Sequence, residues 1–154
     1  MQPLRDELRD FYDDYVHCID SGELERWPDF FVEDAKYWVT ARENYERGLE
    51  HGTIYCDGLG MIHDRVLALR KSTVFEPRWS RHLMGGVRIH EQGEPIKTET
   101  SYVVYECLSD QEPRLFMVGR YIDKVVRTGE GFRFKERACV YDNYRLMTSL
   151  ITPI

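Results

Sequence analysis

The sequence predicts a single-domain α+β fold in which three N-terminal helices pack on a strongly curved antiparallel sheet. Apolar residues recur at helical spacing in the first half of the chain, and a period of two dominates after Arg81. The connections between the late strands are too short for crossover helices. A chain of 154 residues with 42% hydrophobic content can bury one core, and no linker interrupts it. We therefore expect residues 1–154 to form one domain.

The first helix is predicted to begin near Pro3 and to bury one apolar stripe. The stripe is formed by Leu4, Leu8, Phe11, Tyr15 and Ile19. The segment 20–22, which ends in Gly22, breaks this pattern. Ser21 is then expected to cap a second, short helix that runs through Glu23 and Leu24.

The segment Trp27–Val39 changes from clustered aromatic residues to a strand-like alternation after Asp34. Because Trp27, Phe30 and Phe31 carry large apolar surfaces, we expect them to fill the space that the sheet encloses. A third helix is predicted by the helical spacing of a later apolar set. This set is Met61, Ile62, Val66 and Leu69.

Four long strands are predicted in the second half of the chain, separated by turn-forming segments. They are Arg81–His90, Ile96–Leu108, Leu115–Val126 and Phe132–Tyr141. Strands longer than the usual five or six residues coil strongly. The pair Gly85-Gly86, together with Gly119, is expected to provide the bends that let such a sheet form a cone around its helices.

The composition argues against several classes of partner. A formal charge of −6 and a pI near 5.4 do not suit a nucleic-acid or anionic-membrane surface. No apolar run approaches the roughly 20 residues of a transmembrane helix. The charged start, Arg5-Asp6-Glu7, does not resemble a signal peptide, so a cytoplasmic location is expected. The widely separated cysteines fit that location as reduced core residues: Cys18, Cys56, Cys107 and Cys139.

The chain lacks the spacing patterns of metal and nucleophile sites, such as Cys-x-x-Cys, His-x-x-x-His or Gly-x-Ser-x-Gly. We therefore expect it to bind no metal or cofactor of its own. Acid–base chemistry is open, because a cone can hold a pocket in which a titratable side chain has a shifted pKa. The candidates are Asp34, Tyr37, His82, Tyr102 and Asp123. Each could equally be a hydrogen-bonded structural group, and Asp123 could pair with Arg120 or Arg137.

Several charged residues lie within apolar strands or helix faces, where an unpaired charge would be costly. They must pair inside the domain or across a subunit boundary, and arginine, tryptophan and tyrosine are common in interface hot spots. The candidates for these structural or interface roles are Arg65, Trp79, Arg81, His82, Arg120, Tyr121, Asp123, Arg137 and Asp142.

Six segments, in order and almost from end to end, carry a family resemblance. They are Trp27-Pro28-x-Phe30-Phe31-x-Glu33-Asp34-Ala35-x-Tyr37, Asp64-Arg65-Val66-x-Ala68-Leu69-Arg70, Arg81-His82, Gly119-Arg120-Tyr121-x-Asp123, Glu136-Arg137-x-x-Val140-Tyr141-Asp142 and Leu150-Ile151-x-Pro153-Ile154. Together they resemble the small (β) subunit of aromatic-ring-hydroxylating dioxygenases. That family has a cystatin-like, nuclear-transport-factor-2-like fold, which agrees with the cone predicted from the residue pattern.

The resemblance implies a non-catalytic structural subunit in the catabolism of aromatic compounds. In the family, a large α subunit holds the Rieske [2Fe-2S] cluster and the mononuclear iron, and it receives electrons from a reductase or ferredoxin. The β subunits form the trimeric base of an α3β3 assembly. Two alternatives remain: a stand-alone isomerase or dehydratase of the same fold that uses an Asp/His/Tyr pocket, and a module that binds a small apolar ligand in the cone.

Overall fold

A computed structural model describes residues 2–71 and 77–154, and it confirms the α+β class. The elements are α1 (Gln2–Asp20), a 3₁₀ helix (Leu24–Phe30), β1 (Phe31–Ala41), α2 (Arg42–Glu46), β2 (Ile54–Asp57), α3 (Leu59–Lys71), β3 (Arg78–Met84), β4 (Arg88–Glu91), β5 (Ile96–Leu108), β6 (Arg114–Thr128) and β7 (Gly131–Tyr141). Within the described ranges, no helix is both long and apolar enough to cross a membrane.

The described strands form one mixed sheet in the order β2-β1-β7-β6-β5-β3, with β4 also paired to β5. Strands β5, β6 and β7 form the predicted antiparallel meander. Strand β1, however, runs parallel to β7, with Tyr37 beside Arg137 and Thr40 beside Val140. We expected a purely antiparallel sheet. An alternating pattern indicates a strand but not its direction, and the long connection between β1 and β7 permits the parallel pairing that is observed.

Two glycine predictions have different outcomes. The segment predicted as one strand, Arg81–His90, forms two strands, β3 and β4, which are separated at Gly85 and Gly86. Both strands pair antiparallel with β5. Gly119 lies in continuous β6–β7 pairing, and the register shift between those strands comes later, after Lys124. A Cβ atom at Gly119 would lie 2.1 Å from the carbonyl oxygen of Val140. Gly119 thus permits a close approach of two backbones rather than a bulge.

Helix α1 ends in a Schellman motif. Gly22 has a φ of 75°, its N–H donates to the Ile19 carbonyl, and the N–H of Glu23 donates to the Cys18 carbonyl. The prediction that Ser21 caps the next helix is wrong, because that helix is a 3₁₀ helix which begins at Leu24 without a side-chain cap. The Ser21 hydroxyl instead contacts the ring of His17.

Helix α1 lies across the concave face of the sheet. Its stripe buries Leu8, Tyr15 and Ile19, whereas Leu4 and Phe11 are only partly buried. Near one end of α1, Glu7 pairs with Arg127 at the end of β6. At the other end, Asp20 reaches His82 of the edge strand β3. The core therefore lies between α1 and a sheet that curves around it.

Candidate functional site

A buried ion pair occupies the centre of the cone. The Nε of Arg137, on β7, donates to Oδ1 of Asp123, on β6, at 2.9 Å, and its Nη2 donates to Oδ2 at 2.8 Å. Both side chains are completely buried. The two residues are cross-strand partners whose side chains point to the concave face, which explains the bidentate geometry. Arg120, the other possible partner of Asp123, lies on the opposite face and contacts Glu99 at 3.6 Å.

Four aromatic rings surround the Arg137 guanidinium. Its Cζ lies 3.8 Å from the ring centroid of Tyr121, 4.0 Å from Phe134, 4.3 Å from Tyr15 and 5.0 Å from Tyr12. Cation–π contacts of this kind gain strength when they are desolvated. The rings therefore partly replace the water that Arg137 loses on burial.

The two charges depend on each other. Burial raises the pKa of the Asp123 carboxyl, and the attraction of Arg137 offsets part of that effect. Burial alone would lower the pKa of Arg137, but the Asp123 carboxylate outweighs burial and holds this pKa well above its usual range. If either residue were removed, the other would be a buried charge without compensation.

The predicted aromatic filling of the cone is present. Trp27 and Phe31 are buried and contact Tyr37, with ring centroids 4.9 Å and 5.8 Å from it. Phe30 is also buried and packs edge-on against Tyr15 at 5.4 Å. The indole N–H of Trp27 donates to the Tyr15 hydroxyl at 3.1 Å, so the polar edge of this ring is satisfied as well.

We define the strap as residues 142–154. Its last residue enters the core and contacts the residues that fill the cone. The N–H of Ile154 donates to the hydroxyl of Tyr37 at 2.8 Å, and the Tyr15 hydroxyl donates to the Ile154 carbonyl at 2.8 Å. Ile154 itself is buried. The strap thus places the apolar side chain of Ile154, together with its backbone N–H and carbonyl, between the two tyrosines.

The five acid–base candidates do not assemble into a catalytic group. Asp34 is exposed, and Asp123 is held by Arg137. Tyr37 binds the strap, and Tyr102 donates to the sulfur of Met117. Burial raises the pKa of both tyrosines well above the ordinary value of 10, so their hydroxyls stay neutral.

His82, the fifth candidate, is bound at the edge of the sheet. Its Nδ1 lies 2.6 Å from Oδ1 of Asp20, and its backbone N–H donates to Oδ2 of the same carboxylate at 2.8 Å. The hydroxyl of Ser80 also contacts Asp20, at 3.2 Å. His82 and Ser80 therefore anchor β3 to the end of α1.

Of the remaining candidates, four lie away from the centre of the cone, and Tyr121 lies beside it. Arg65 is half-buried on α3 and donates to the Ile151 carbonyl of the strap at 3.1 Å. Asp142 pairs with Arg42 at 2.6 Å on the surface. Trp79 and Arg81 are exposed on β3. Tyr121 lines the core and stacks on Tyr102, with ring centroids 4.2 Å apart.

Three polar side chains that matter to this architecture were not among the candidates. Asp20 lies at the C-terminal end of α1, where the helix dipole disfavours a negative charge. A carboxylate at this position therefore indicates that some other group compensates its charge. Glu106 is a charge at an inward position of β5, and it binds Arg114, Arg78 and Thr148. Asn143 gave no signal in the sequence.

The side-chain amide of Asn143 replaces a strand residue. Its Nδ2 donates to the Phe116 carbonyl at 3.0 Å, and its Oδ1 accepts from the N–H of Val118 at 2.9 Å. Beyond the last β7 residue, Asn143 therefore continues the hydrogen bonding of β6 while the backbone turns away into the strap.

Other features of the described residues lie outside the cone. A cleft of about 610 Å³ opens on the outer face of the sheet, where Trp38, Tyr45, Leu49, Lys124 and Glu136 contribute to its walls. Within residues 2–71 and 77–154, no group of three or more His, Cys, Asp or Glu side chains is arranged to hold a metal ion. The four cysteines are free thiols, as predicted; Cys18, Cys56 and Cys139 are buried in the core, whereas Cys107 is only partly buried.

Comparison with known proteins gives a consistent result. A SnoaL-like domain model matches residues 3–138. The chain is 39% identical to the anthranilate 1,2-dioxygenase small subunit of Burkholderia cepacia, over 91% of this chain and 88% of that protein. It is 31% identical to subunit beta 2 of the terephthalate 1,2-dioxygenase terminal oxygenase component of a Comamonas species, over 91% of this chain and 92% of that protein.

A solved structure of a related protein has the same fold as this chain. It is a β subunit assigned to an aromatic-ring-hydroxylating dioxygenase of Novosphingobium aromaticivorans, with a TM-score of 0.89 and 41% sequence identity, over 99% of this chain and 98% of that one. The similarity thus covers sequence, length and fold together. The chain belongs to the SnoaL-like domain family and, within it, to the small (β) subunits of aromatic-ring-hydroxylating dioxygenases.

Proposed function

We propose that this chain is the structural β subunit in the terminal oxygenase component of an aromatic-ring-hydroxylating oxygenase, and that it supports the assembly of a larger catalytic subunit in the catabolism of aromatic compounds. The relatives named above support the proposal, because two are small or β subunits of enzymes that act on aromatic acids. The proposed assembly is a cytoplasmic α3β3 hexamer in which β subunits contact one another and the α subunits.

The observation that carries the proposal is the filled cone. A substrate site in this fold would need free volume on the concave face, next to titratable side chains. Here that space holds a neutralised ion pair, Arg137 and Asp123, together with Trp27, Tyr15 and Ile154, all of them buried. Within the described residues, the interior is a packed core without space for a substrate. This suits a subunit that supports the assembly through its outer surface.

The donor set of this chain does not fit the iron centres of such an oxygenase. A Rieske cluster needs two cysteines and two histidines, and a mononuclear iron site needs two histidines and a carboxylate. Three of the four cysteines are buried singly, and His82 is bound to Asp20. We therefore place both iron centres, and the contact with a reductase or ferredoxin, in the partner α subunit.

Co-expression tests the proposal. This chain should be produced with and without a large oxygenase chain of the same organism, chosen by its Cys-x-His and Cys-x-x-His motifs. We expect the tagged chain to bring down the large chain together with iron and the visible absorbance of a [2Fe-2S] cluster. The purified chain alone should be colourless and inactive toward aromatic substrates.

Two variants separate the proposal from the stand-alone enzyme. Asp34→Asn changes an exposed carboxylate, and His82→Ala removes a buried ring. A stand-alone enzyme would lose turnover in Asp34→Asn while it stayed folded. His82→Ala also removes the anchor of β3, so circular dichroism must show that it is folded before its turnover is interpreted. Turnover by the purified wild-type chain without any partner would contradict the structural-subunit proposal.

A further inference from the structure

An exposed apolar surface lies on the outer face of the sheet, at the β3 edge. We define the β3 patch by Trp79, Arg81, Leu83, Tyr105 and Leu115. Trp79 is 74% exposed, Leu83 56%, Leu115 49% and Tyr105 40%. Single exposed apolar residues are ordinary, but contiguous clusters on a protein surface commonly mark a binding partner.

The strand register shows that the β3 patch is continuous. Arg81 is the cross-strand partner of Tyr105, and Tyr105 is the partner of Leu115, so the three form one row across β3, β5 and β6. Trp79 and Leu83 flank this row two residues away on either side of Arg81, and therefore share its face. Same-face neighbours on adjacent strands are in contact distance, so the five side chains form one surface.

Arg81 provides the charge of this surface. It is exposed, and no ion pair holds it among the described residues, whereas Arg114 nearby is paired with the inward-pointing Glu106 at 3.0 Å. At the outward positions level with Trp79, Arg81 and Leu83, strands β5 and β6 carry no carboxylate; the residues there are Cys107, Tyr105, Val103, Leu115 and Val118. The β3 patch is therefore apolar with one unpaired cation in the middle, while the chain as a whole has a net charge of −6.

Strand β3, which carries three of the five residues of the β3 patch, is held on its inner face by helix α1. Asp20 of α1 holds the backbone N–H and the ring of His82 and the hydroxyl of Ser80, the residues between the exposed ones. A pre-ordered surface loses less conformational entropy on binding. Tryptophan, tyrosine and arginine are also the residue types that dominate interface hot spots.

We infer that the β3 patch is the docking surface for the large subunit, which meets it with an apolar surface that surrounds a carboxylate opposite Arg81. This inference rests on the proposed function and names the contact surface that the function requires. A two-fold pair of copies is disfavoured as the occupant, because it would oppose Arg81 to its own equivalent without a carboxylate between them. A cyclic contact between copies, in which the β3 patch meets a different surface of its neighbour, is the alternative that the mass of the free variants distinguishes.

The experiment uses biolayer interferometry to measure binding between purified variants of this chain and the large oxygenase chain chosen by its Cys-x-His and Cys-x-x-His motifs. Light scattering gives the mass of each free variant. The variants are Trp79→Ala and Arg81→Glu. Leu67→Ala is the matched control, because Leu67 is 51% exposed on α3 and lies outside the β3 patch. Circular dichroism and the melting temperature verify that each variant is folded.

We expect Trp79→Ala to weaken binding about 30-fold or more, the size of a hot-spot truncation. Arg81→Glu should weaken it at least as much, and Leu67→Ala should leave it unchanged. If wild type binds the large chain and the two β3-patch variants bind equally well, the inference is overturned. If wild type alone is an oligomer that these variants convert to monomers, the occupant is a second copy and the assignment to the large subunit is wrong. If wild type does not bind the large chain at all, the proposed function itself fails.

Discussion

Removal of Arg137 should destabilise the protein strongly and make its stability depend on pH. In Arg137→Met, Asp123 loses two charge-assisted hydrogen bonds of 2.9 and 2.8 Å and remains completely buried. Such bonds contribute about 1.5–3 kcal/mol each, and breaking a buried ion pair costs about 3–5 kcal/mol. We expect a loss of about 3–5 kcal/mol in the free energy of unfolding at pH 7, a large part of the 5–15 kcal/mol typical of a domain.

The pH dependence has a defined sign. Burial already raises the pKa of Asp123 above its usual value, and the loss of Arg137 removes the group that opposes this effect. A carboxyl whose pKa is higher in the folded state favours folding when it is protonated. The contribution of Asp123 to the stability of Arg137→Met should therefore be greatest below the unfolded-state pKa of about 3.9 and fall as pH rises through the folded-state pKa, by up to about 1.4 kcal/mol per pH unit. Wild type at the same pH values accounts for the other carboxylates, which titrate in both proteins.

The assay is urea unfolding followed by tryptophan fluorescence, to which buried Trp27 contributes, at several pH values, for Arg137→Met, Asp123→Leu and the double variant. The double variant should recover most of the loss, because no buried charge is left. Arg120→Met is the control on the outer face of β6, where the contact with Glu99 is partly exposed and should contribute at most about 1 kcal/mol. A loss below about 1 kcal/mol for Arg137→Met, or additive losses in the double variant, would refute the argument.

Three further predictions concern packing, the strap and a thiol. Gly119→Ala should cost about 1–3 kcal/mol in urea unfolding, because its Cβ would meet Val140 at 2.1 Å, whereas Gly129→Ala, with nothing within 4 Å, should stay within about 0.5 kcal/mol of wild type. Asn143→Ala should cost about 1–3 kcal/mol, since it leaves two backbone groups of β6 unpaired, and hydrogen exchange should show lost protection there. Burial raises the pKa of Cys139 to about 12, so this thiol is neutral at pH 8. An alkylating reagent should therefore modify Cys139 only in urea, as mass spectrometry can show. Rapid labelling in the native protein would contradict its burial.

Much of this fold can be predicted because alternation and helical spacing are local. The α1 stripe and the strands β5, β6 and β7 follow from those periods alone. The same alternation identifies Asp123 and Arg137 as charges on an inward face, and it places Arg120 on the outer face, so the choice between the two possible partners of Asp123 was available from the sequence.

Other features depend on tertiary structure that no local pattern encodes. The parallel pairing of β1 with β7 joins segments that are distant in the chain. The insertion of Ile154 between Tyr15 and Tyr37 uses backbone groups, which have no residue signature. The use of Asp20 to hold β3 is indicated only by an unfavourable charge at a helix end, and such a signal does not name its partner.

The parallel pair of β1 and β7 has a consequence for the way the chain folds during synthesis. Thr40 pairs with Val140, so the ribosome adds another 100 residues after Thr40 before this partner of β1 is complete. At about 5–20 residues per second, that delay lasts roughly 5–20 seconds. Until β7 emerges, one edge of β1 is unpaired and the aromatic face of α1 lacks its ring contacts with Phe134. We expect a nascent chain that stops before β7 to be bound by chaperones on the ribosome, and one that includes β7 to be released.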